Sequence, residues 1–528
     1  MKLDKLCNKQ DEYMTPRYAI KPLLKYLDGF KTIWCPFDTS ESRYVELLST
    51  KHKVIHSHIS EGADFFKISA PDCDCIISNP PYSCLTPEHQ VLTKDGWKYI
   101  GDIGIGDDVL SLNYTTLEVS WDSVVNTVNK FVTEYVYEFK SRDISLRTTH
   151  DHRMFAYNSY KDKLTLNKYN DLIYAEDINE YSYIPKYGYK WNGYSEKYIT
   201  IPEIMINNGR NTHKKIEAKK ILVTDFAKFM GVWLADGYVR GSKGGLLNSQ
   251  GNIKYTVGIK QGIEGYEFVR DVLSKLPFKY HEYHNKNNTC NFEIHSKQLW
   301  EILKEFGNSY DKYIPKYIKN GNKEVINAFM CGYTFGDSYS TNHNGTDYTV
   351  YSTVSRKLAE DLQEIMLKCG ILCNISRNKT IKGNQIYLLR VNKTIKRKRM
   401  FYKNKERVFY SGMVYCITLN KNSVFLTKRD EKVCFTGNCK TQVFERLFSL
   451  NKPFAMLVGV VGLFESQARF NMFKDNKFEL MYFNKRVSYL RSYQDEKPAL
   501  NPPFSSVYVC HNILPKQIVF EVIDKGDL

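Results

Sequence analysis

The chain has 528 residues, 42% of them hydrophobic, and carries 75 Lys+Arg against 58 Asp+Glu for a formal net charge of +17. Its thirteen cysteines, an odd number without a CxxC pair, exclude a disulfide framework and point to a reducing cytoplasm. The opening MKLDKLCNKQ has no apolar core for a signal peptide, and the longest apolar run, Phe454–Phe464, is shorter than the about 20 residues that cross a bilayer, so no membrane partner is expected.

The charge is unevenly placed. Residues 1–83 and 439–528 together hold 23 basic and 20 acidic side chains, which leaves 52 basic and 38 acidic for the 355 residues between them. An excess of that size favours a polyanionic partner, because neutralised phosphates release condensed counterions.

In chain order, the first predicted elements are a strand in TIWCPFD (Thr32 to Asp38) and a buried strand in CIIS (Cys75 to Ser78), which delivers Asn79-Pro80-Pro81-Tyr82 to a sheet edge. The two prolines make this loop rigid without a ligand. The Asn79 side-chain carbonyl and the Pro80 main-chain carbonyl are suited to accept hydrogen bonds from an exocyclic amine, and Tyr82 is suited to stack on a base turned out of its duplex. With DEYMTP (Asp11 to Pro16) and GADFF (Gly62 to Phe66), these flanks resemble the phage-type adenine-N6 DNA methyltransferases. The resemblance implies a Rossmann-like α/β fold and S-adenosylmethionine as cofactor, with Thr15, Pro36, Phe37, Asp38 and Asp64 lining its pocket. The family's glycine-rich turn is replaced by CPFDTSES, which leaves open a methyltransferase without activity.

The loop breaks off at Ser83. From Cys84 the chain reads as short alternating runs separated by Gly and Asp-Gly turns, an all-β pattern. It resembles the start of an intein, a self-splicing insertion built on a horseshoe of strands called the Hint fold. That resemblance makes Cys84 the nucleophile that turns the Ser83–Cys84 amide into a thioester. Thr149 and His152 of LRTTHDHRMF become the Thr-x-x-His pair, a hydrogen-bond donor to the scissile region and a near-neutral acid, with His150 a weaker candidate. At the far end, Asn438 and Cys439 match the terminal asparagine that cyclises and the nucleophile that takes over the acyl group. Gly437 stands where the family usually has His, Cys416 where it commonly has Asp, and Ser423 where a second His is expected. The splicing element is therefore assigned to 84–222 and 401–438.

Between these parts lies a repeat. FMGVWLADGY (Phe229 to Tyr238) and FMCGYTFGDSY (Phe329 to Tyr339) align with Asp236 opposite Asp337, 101 residues on. Each precedes a predicted strand and an amphipathic helix. The doubled pattern resembles the LAGLIDADG homing endonucleases, α+β proteins, and residues 223–400 are assigned to such a domain. The resemblance implies that Gly231 and Gly332 bring two helices together, that Asp236 and Asp337 hold Mg²⁺ between two scissile phosphates, and that Lys312 of DKYIPKYI lies near the phosphate, with Lys393 a weak counterpart. Double-stranded DNA is the expected partner, and the basic, aromatic run Lys393 to Arg407 fits contacts to its backbone. No obligatory protein partner is evident. Residues 439–528 resume the α/β pattern, with NPPF at Asn501 to Phe504 expected in a late hairpin.

The expected architecture is multidomain: a split Rossmann-like methyltransferase, 1–83 with 439–528, interrupted by a Hint horseshoe that carries the endonuclease. Two alternatives stay open, a methyltransferase–nuclease fusion that never splices and a degenerate DNA-binding remnant.

Overall fold

The computed structural model describes residues 14–58, 61–63, 65, 68–80, 84–149, 152–158, 172–179, 181–207, 213–241, 254–343, 345–380, 383–392, 397–399, 405–437, 441–460, 463–464, 467–490 and 505–526. Asp64, Pro81, Tyr82, His150, Lys393, Asn438, Cys439 and the segment 501–504 lie outside the described residues.

The two ends of the chain build one seven-stranded sheet. Its order is Lys53–His56, Thr32–Cys35, Cys75–Ser78, Phe454–Gly459, Ser506–His511, Glu479–Phe483, Ile518–Glu521. The first four strands are parallel, and Ser506–His511 runs against both of its neighbours. The seam between the two ends is Ile76 beside Phe454, Ile77 beside Ala455 and Ser78 beside Met456. CIIS is buried at all four positions, the signature of a parallel strand covered on both faces. Alternate residues divide accordingly: Ile33, Cys35, Cys75 and Ile77 enter one core, while Trp34, Ile76, Phe454 and Met456 enter another. The helices Arg17–Leu24 and Thr441–Ser449 each supply buried side chains, one to each core.

From residue 84 the structure is all-β. An eleven-stranded sheet includes a long ribbon in which Glu118–Lys140 pairs antiparallel with Lys405–Leu419. The hairpin Val424–Arg429/Lys432–Gly437 turns through Asp430 and Glu431, both at positive φ (50° and 61°), the two-residue turn whose twist matches paired strands. Its second strand lies against Arg153–Met154 through Thr436 beside Met154. Arg397–Arg399 pairs with Ser182–Pro185, so the chain is back among these strands before residue 400.

The central part is doubled. Gly237–Arg240, Thr256–Gly262, Thr289–Ile294 and Tyr280–His284 form one four-stranded antiparallel sheet; Ser338–His343, Thr346–Thr353, Gln385–Val391 and Ile375–Lys379 repeat the same order. Between the sheets the helices Val223–Asp236 and Lys323–Asp337 pack backbone to backbone. A Cβ on Gly231 would lie 2.2 Å from the Phe329 oxygen and 2.7 Å from the Tyr333 nitrogen; one on Gly332 would lie 2.2 Å from the Lys228 oxygen and 3.0 Å from the Val232 nitrogen. These contacts interchange under the 101-residue offset, which makes the pair a pseudo-twofold.

The helix Arg356–Lys368 joins this part to the all-β part. Its polar side is buried too, with Asp361, Gln363, Glu364 and Lys368 all enclosed. The Lys368 ammonium lies 4.2 Å from the Trp191 ring and 5.1 Å from Trp121, both of the all-β part, and bonds Glu364 at 2.7 Å.

Candidate active sites

The two helices of the pseudo-twofold end together. Asp236 and Asp337 are their last residues, each followed by an extended residue, Gly237 or Ser338, that starts a strand. The close approach continues to this end, where a Cβ on Gly336 would lie 2.4 Å from that of Ala235 and 2.9 Å from Asp236 Oδ2. Helix C-termini carry partial negative charge, so neither carboxylate is eased by its own helix. Burial first, and then the charge of Asp236, push Asp337 up to about 6. Burial raises Asp236 as well, against a hydrogen bond from Gln261 Nε2 at 3.1 Å. Gln261 went unnoticed in the sequence because a polar residue at a strand end carries no signal until the strand is placed beside the helix.

Lys312, which the resemblance of DKYIPKYI to the family's Lys-x-Ile-Pro block sets near a phosphate, is held against the helix that ends at Asp236. Its ammonium donates to the carbonyl oxygens of Trp233, Leu234 and Gly237 at 3.3, 3.0 and 3.0 Å, so its three protons cap the last turn of the Asp236 helix. Burial lowers it to about 8, against the opposing pull of Asp337 and Asp236. In this geometry it holds Asp236 in place, and contact with a phosphate would require it to leave the cap.

Glu282, His284 and Cys290 present ligand atoms within 4.8 Å of one another on the neighbouring hairpin. Arg270 bonds both Glu282 oxygens at 2.8 and 2.7 Å, so that carboxylate is already neutralised within an ion pair.

A second site surrounds Cys84, which is fully buried. Its N–H donates to Thr149 Oγ1 at 2.9 Å, and the Thr149 N–H donates to its carbonyl at 3.1 Å. The hydroxyl expected to donate to the scissile region thus chiefly accepts there, its own donation to Cys84 O being longer at 3.5 Å. The His152 N–H bonds Thr149 O, closing the turn, and His152 Nε2 lies 2.6 Å from Thr436 Oγ1. Thr149 and His152 therefore touch both Cys84 and Thr436 of the strand Lys432–Gly437, three residues before Cys439. Thr436 was missed because a threonine in a strand is commonplace. Gly437 also has a local reason: a Cβ there would lie 2.7 Å from Leu172 Cδ1 and 3.0 Å from the Arg153 oxygen, so a histidine does not fit without movement.

The third site lies at the carboxyl ends of Thr32–Cys35 and Cys75–Ser78, where the strand order reverses and open α/β sheets form their crevice. Asp38 is buried and accepts hydrogen bonds from the Ser42 and Ser78 hydroxyls, tying the two strand ends together. Asn79 Nδ2 lies 3.5 Å from Thr15 Oγ1. Phe37 packs on Phe65 with ring centres 4.8 Å apart, and Pro36 and Pro80 complete the same edge of the sheet.

Residues 324–403 match the LAGLIDADG-like domain family. Three curated relatives differ widely in description. The ATP-dependent Clp protease proteolytic subunit of Chlamydomonas moewusii is 26% identical over 57% of this chain and 29% of its own length. The ribonucleoside-diphosphate reductase subunit beta of Aquifex aeolicus is 22% identical over 69% and 51%. The replication factor C small subunit of Methanocaldococcus jannaschii is 24% identical over 47% and 14%. The chain thus spans about half or less of the length of these relatives. Among solved structures, a variant of the homing endonuclease I-DmoI aligns with 33% of this chain and 90% of its own, at 16% identity and a TM-score of 0.25.

Proposed function

We propose that the chain is a self-splicing precursor: residues 84–438 excise themselves as a DNA endonuclease, and 1–83 joined to 439–528 forms a methyltransferase acting on the exocyclic amine of adenine in DNA. The observation that carries this reading is the seven-stranded sheet made from both ends of the chain and interrupted at the Asn79–Pro80 loop. An insertion is tolerated there only if its own ends lie close together, and Thr149 bonds Cys84 while His152, bonded to Thr149, bonds Thr436. The relatives favour it further, since a protease subunit, a reductase subunit and a replication factor each match this chain over only about half or less of their own length.

In the first step Cys84 Sγ attacks the Ser83 carbonyl carbon, the C–N bond breaks, and the leaving nitrogen takes a proton. The Thr149 hydroxyl at that nitrogen and the peptide clamp on Cys84 O orient the bond, and His152 is the acid-base group of the turn. Cys439 Sγ then attacks the thioester carbonyl and releases the Cys84 thiol. The Asn438 side-chain nitrogen attacks its own main-chain carbonyl, forming a succinimide and freeing the Cys439 amine. A sulfur-to-nitrogen acyl shift restores an amide between Ser83 and Cys439.

In the endonuclease, two half-buried carboxylates at two helix C-termini, both raised by burial and Asp337 further by the charge of Asp236, form a donor set suited to a divalent cation. Mg²⁺ held by Asp236 and Asp337 would supply an activated water and charge for the leaving oxygen. Gln261 and Lys312 keep Asp236 oriented, and the basic excess of residues 84–438 draws in duplex DNA. In the joined protein, Asn79 and Pro80 would accept the amine hydrogen bonds. The buried Asp38 carboxylate is the acceptor that would take the ammonium of S-adenosylmethionine, which supplies the methyl group. Expression followed by intact mass measurement tests the reading: a ligated protein and an excised 355-residue chain are expected, and full-length chain alone under reducing conditions would overturn it.

A further inference from the structure

Resting on the splicing reading, we infer that Cys84 and Cys416 form a reversible cross-strand disulfide that switches splicing off under oxidation. Leu85 and Tyr415 are antiparallel partners that exchange both backbone hydrogen bonds, Leu85 N to Tyr415 O at 2.8 Å and Tyr415 N to Leu85 O at 2.7 Å. In an antiparallel ladder the next opposed pair, one residue back on one strand and one forward on the other, is the non-hydrogen-bonded pair, with Cα atoms about 4.5 Å apart and both side chains on one face. That pair is Cys84 and Cys416.

Two further observations agree with this register. The N–H and C=O of Cys84 turn away from the Tyr415 strand toward Thr149, as a non-hydrogen-bonded site requires. Cys416 pairs through its other side with Val128. Both sulfurs are buried in a single small cluster with Val128, Val132 and Val414. A Cα separation of about 4.5 Å falls within the roughly 4.4–6.8 Å window of disulfides, so the bond forms without moving the strands. Cys416 occupies the position where the intein pattern commonly has Asp, and here it faces the nucleophile instead.

The chemistry balances with hydrogen peroxide as oxidant. Peroxide oxidises one thiol to a sulfenic acid with loss of water, and the second sulfur displaces hydroxide, taken up as a second water, to give the disulfide. Cys84 Sγ is then bonded to Cys416 and is no longer the thiol whose thiolate attacks the Ser83 carbonyl. A reductant returns both thiols and restores the first step.

The test uses the full chain carrying Asn438→Ala and Cys439→Ala, in which only the first step remains. After brief peroxide treatment, the expected results are loss of two hydrogens by intact mass, linked peptides containing Cys84 and Cys416, and loss of hydroxylamine-induced cleavage at Ser83–Cys84, regained with a phosphine reductant. Adding Cys416→Ser or Cys416→Ala should leave cleavage intact after the same treatment. Absence of the linked peptides, or equal loss of cleavage in folded Cys416 variants, overturns the inference. If both variants fail to fold, the linked peptides in the parent decide it. No cleavage even in the reduced parent would instead defeat the splicing reading, and the linked peptides would still report on the pair.

Discussion

Asp337 carries the clearest consequence at the scale of single residues. Its carboxyl is raised from 3.8 to about 6 by burial and by Asp236. The folded state therefore binds the proton more tightly than the unfolded state, and stability falls as pH rises from about 4 to about 6. Asp337→Asn removes that penalty. It should abolish DNA cutting yet stabilise the folded chain by about 1–3 kcal/mol at pH 7.5, measurable by denaturant unfolding; a destabilised variant would contradict the charge account. His89 works in the opposite sense. Burial lowers it to about 4, while its Nδ1 donates to Thr86 O at 2.9 Å and its Nε2 accepts from the Arg147 N–H at 3.2 Å. Unfolding below pH 6.5 takes up a proton, so stability is lost as pH falls from 6.5 toward 4, and His89→Gln should flatten that loss. Thr436→Val keeps the shape of the residue but removes the oxygen 2.6 Å from His152 Nε2. Splicing slowed by about tenfold or more, with Thr436→Ser restoring it, is the expected outcome for a buried hydrogen bond whose partner is left unpaired. The residues proposed to do the chemistry were legible because they sit in fixed patterns. Those that position them, Thr436, Gln261 and Lys312 in its capping role, were not, because their partners lie 284, 25 and 75–79 residues away in sequence.

Among the elements, the helix pair rests on backbone contact rather than on interdigitated side chains. Gly231→Ala places a methyl 2.2 Å from the Phe329 oxygen, so the helices must separate. The expected cost is about 2–3 kcal/mol, together with loss of cutting as the two carboxylates move apart. Unfolding monitored alongside DNA cleavage checks both, and an unchanged melting temperature would contradict the packing. The repeat in the sequence announced this pair, since two glycines and two acids recur at one spacing. The second role of the helix Arg356–Lys368 was hidden. Its sequence reads as a helix with one apolar stripe, yet the polar side is buried against the all-β part, where Lys368 sits over two tryptophans and bonds Glu364 and the Lys319 oxygen. A polar stripe normally signals solvent, and only the neighbouring domain changes its meaning.

For the whole molecule, the division of labour follows from where the chain leaves and re-enters the parallel sheet. The strand Cys75–Ser78 ends at the Asn79–Pro80 loop, and its neighbour Phe454–Gly459 arrives more than 370 residues later in sequence yet in register with it. The change of pattern after Ser83 was readable because the alternating run from Cys84 differs in period from the buried run before Asn79. The pairing of the two ends was readable only through the charge balance and the restored motif, because no local signal encodes a partner so distant. The central claim is that this chain divides and rejoins itself, and the intact mass of the protein expressed under reducing conditions tests it most directly. The account predicts two products, a 173-residue ligated protein and a 355-residue excised chain, with Cys84→Ala plus Asn438→Ala leaving only full-length protein. A wild-type chain that stays at full length would contradict it.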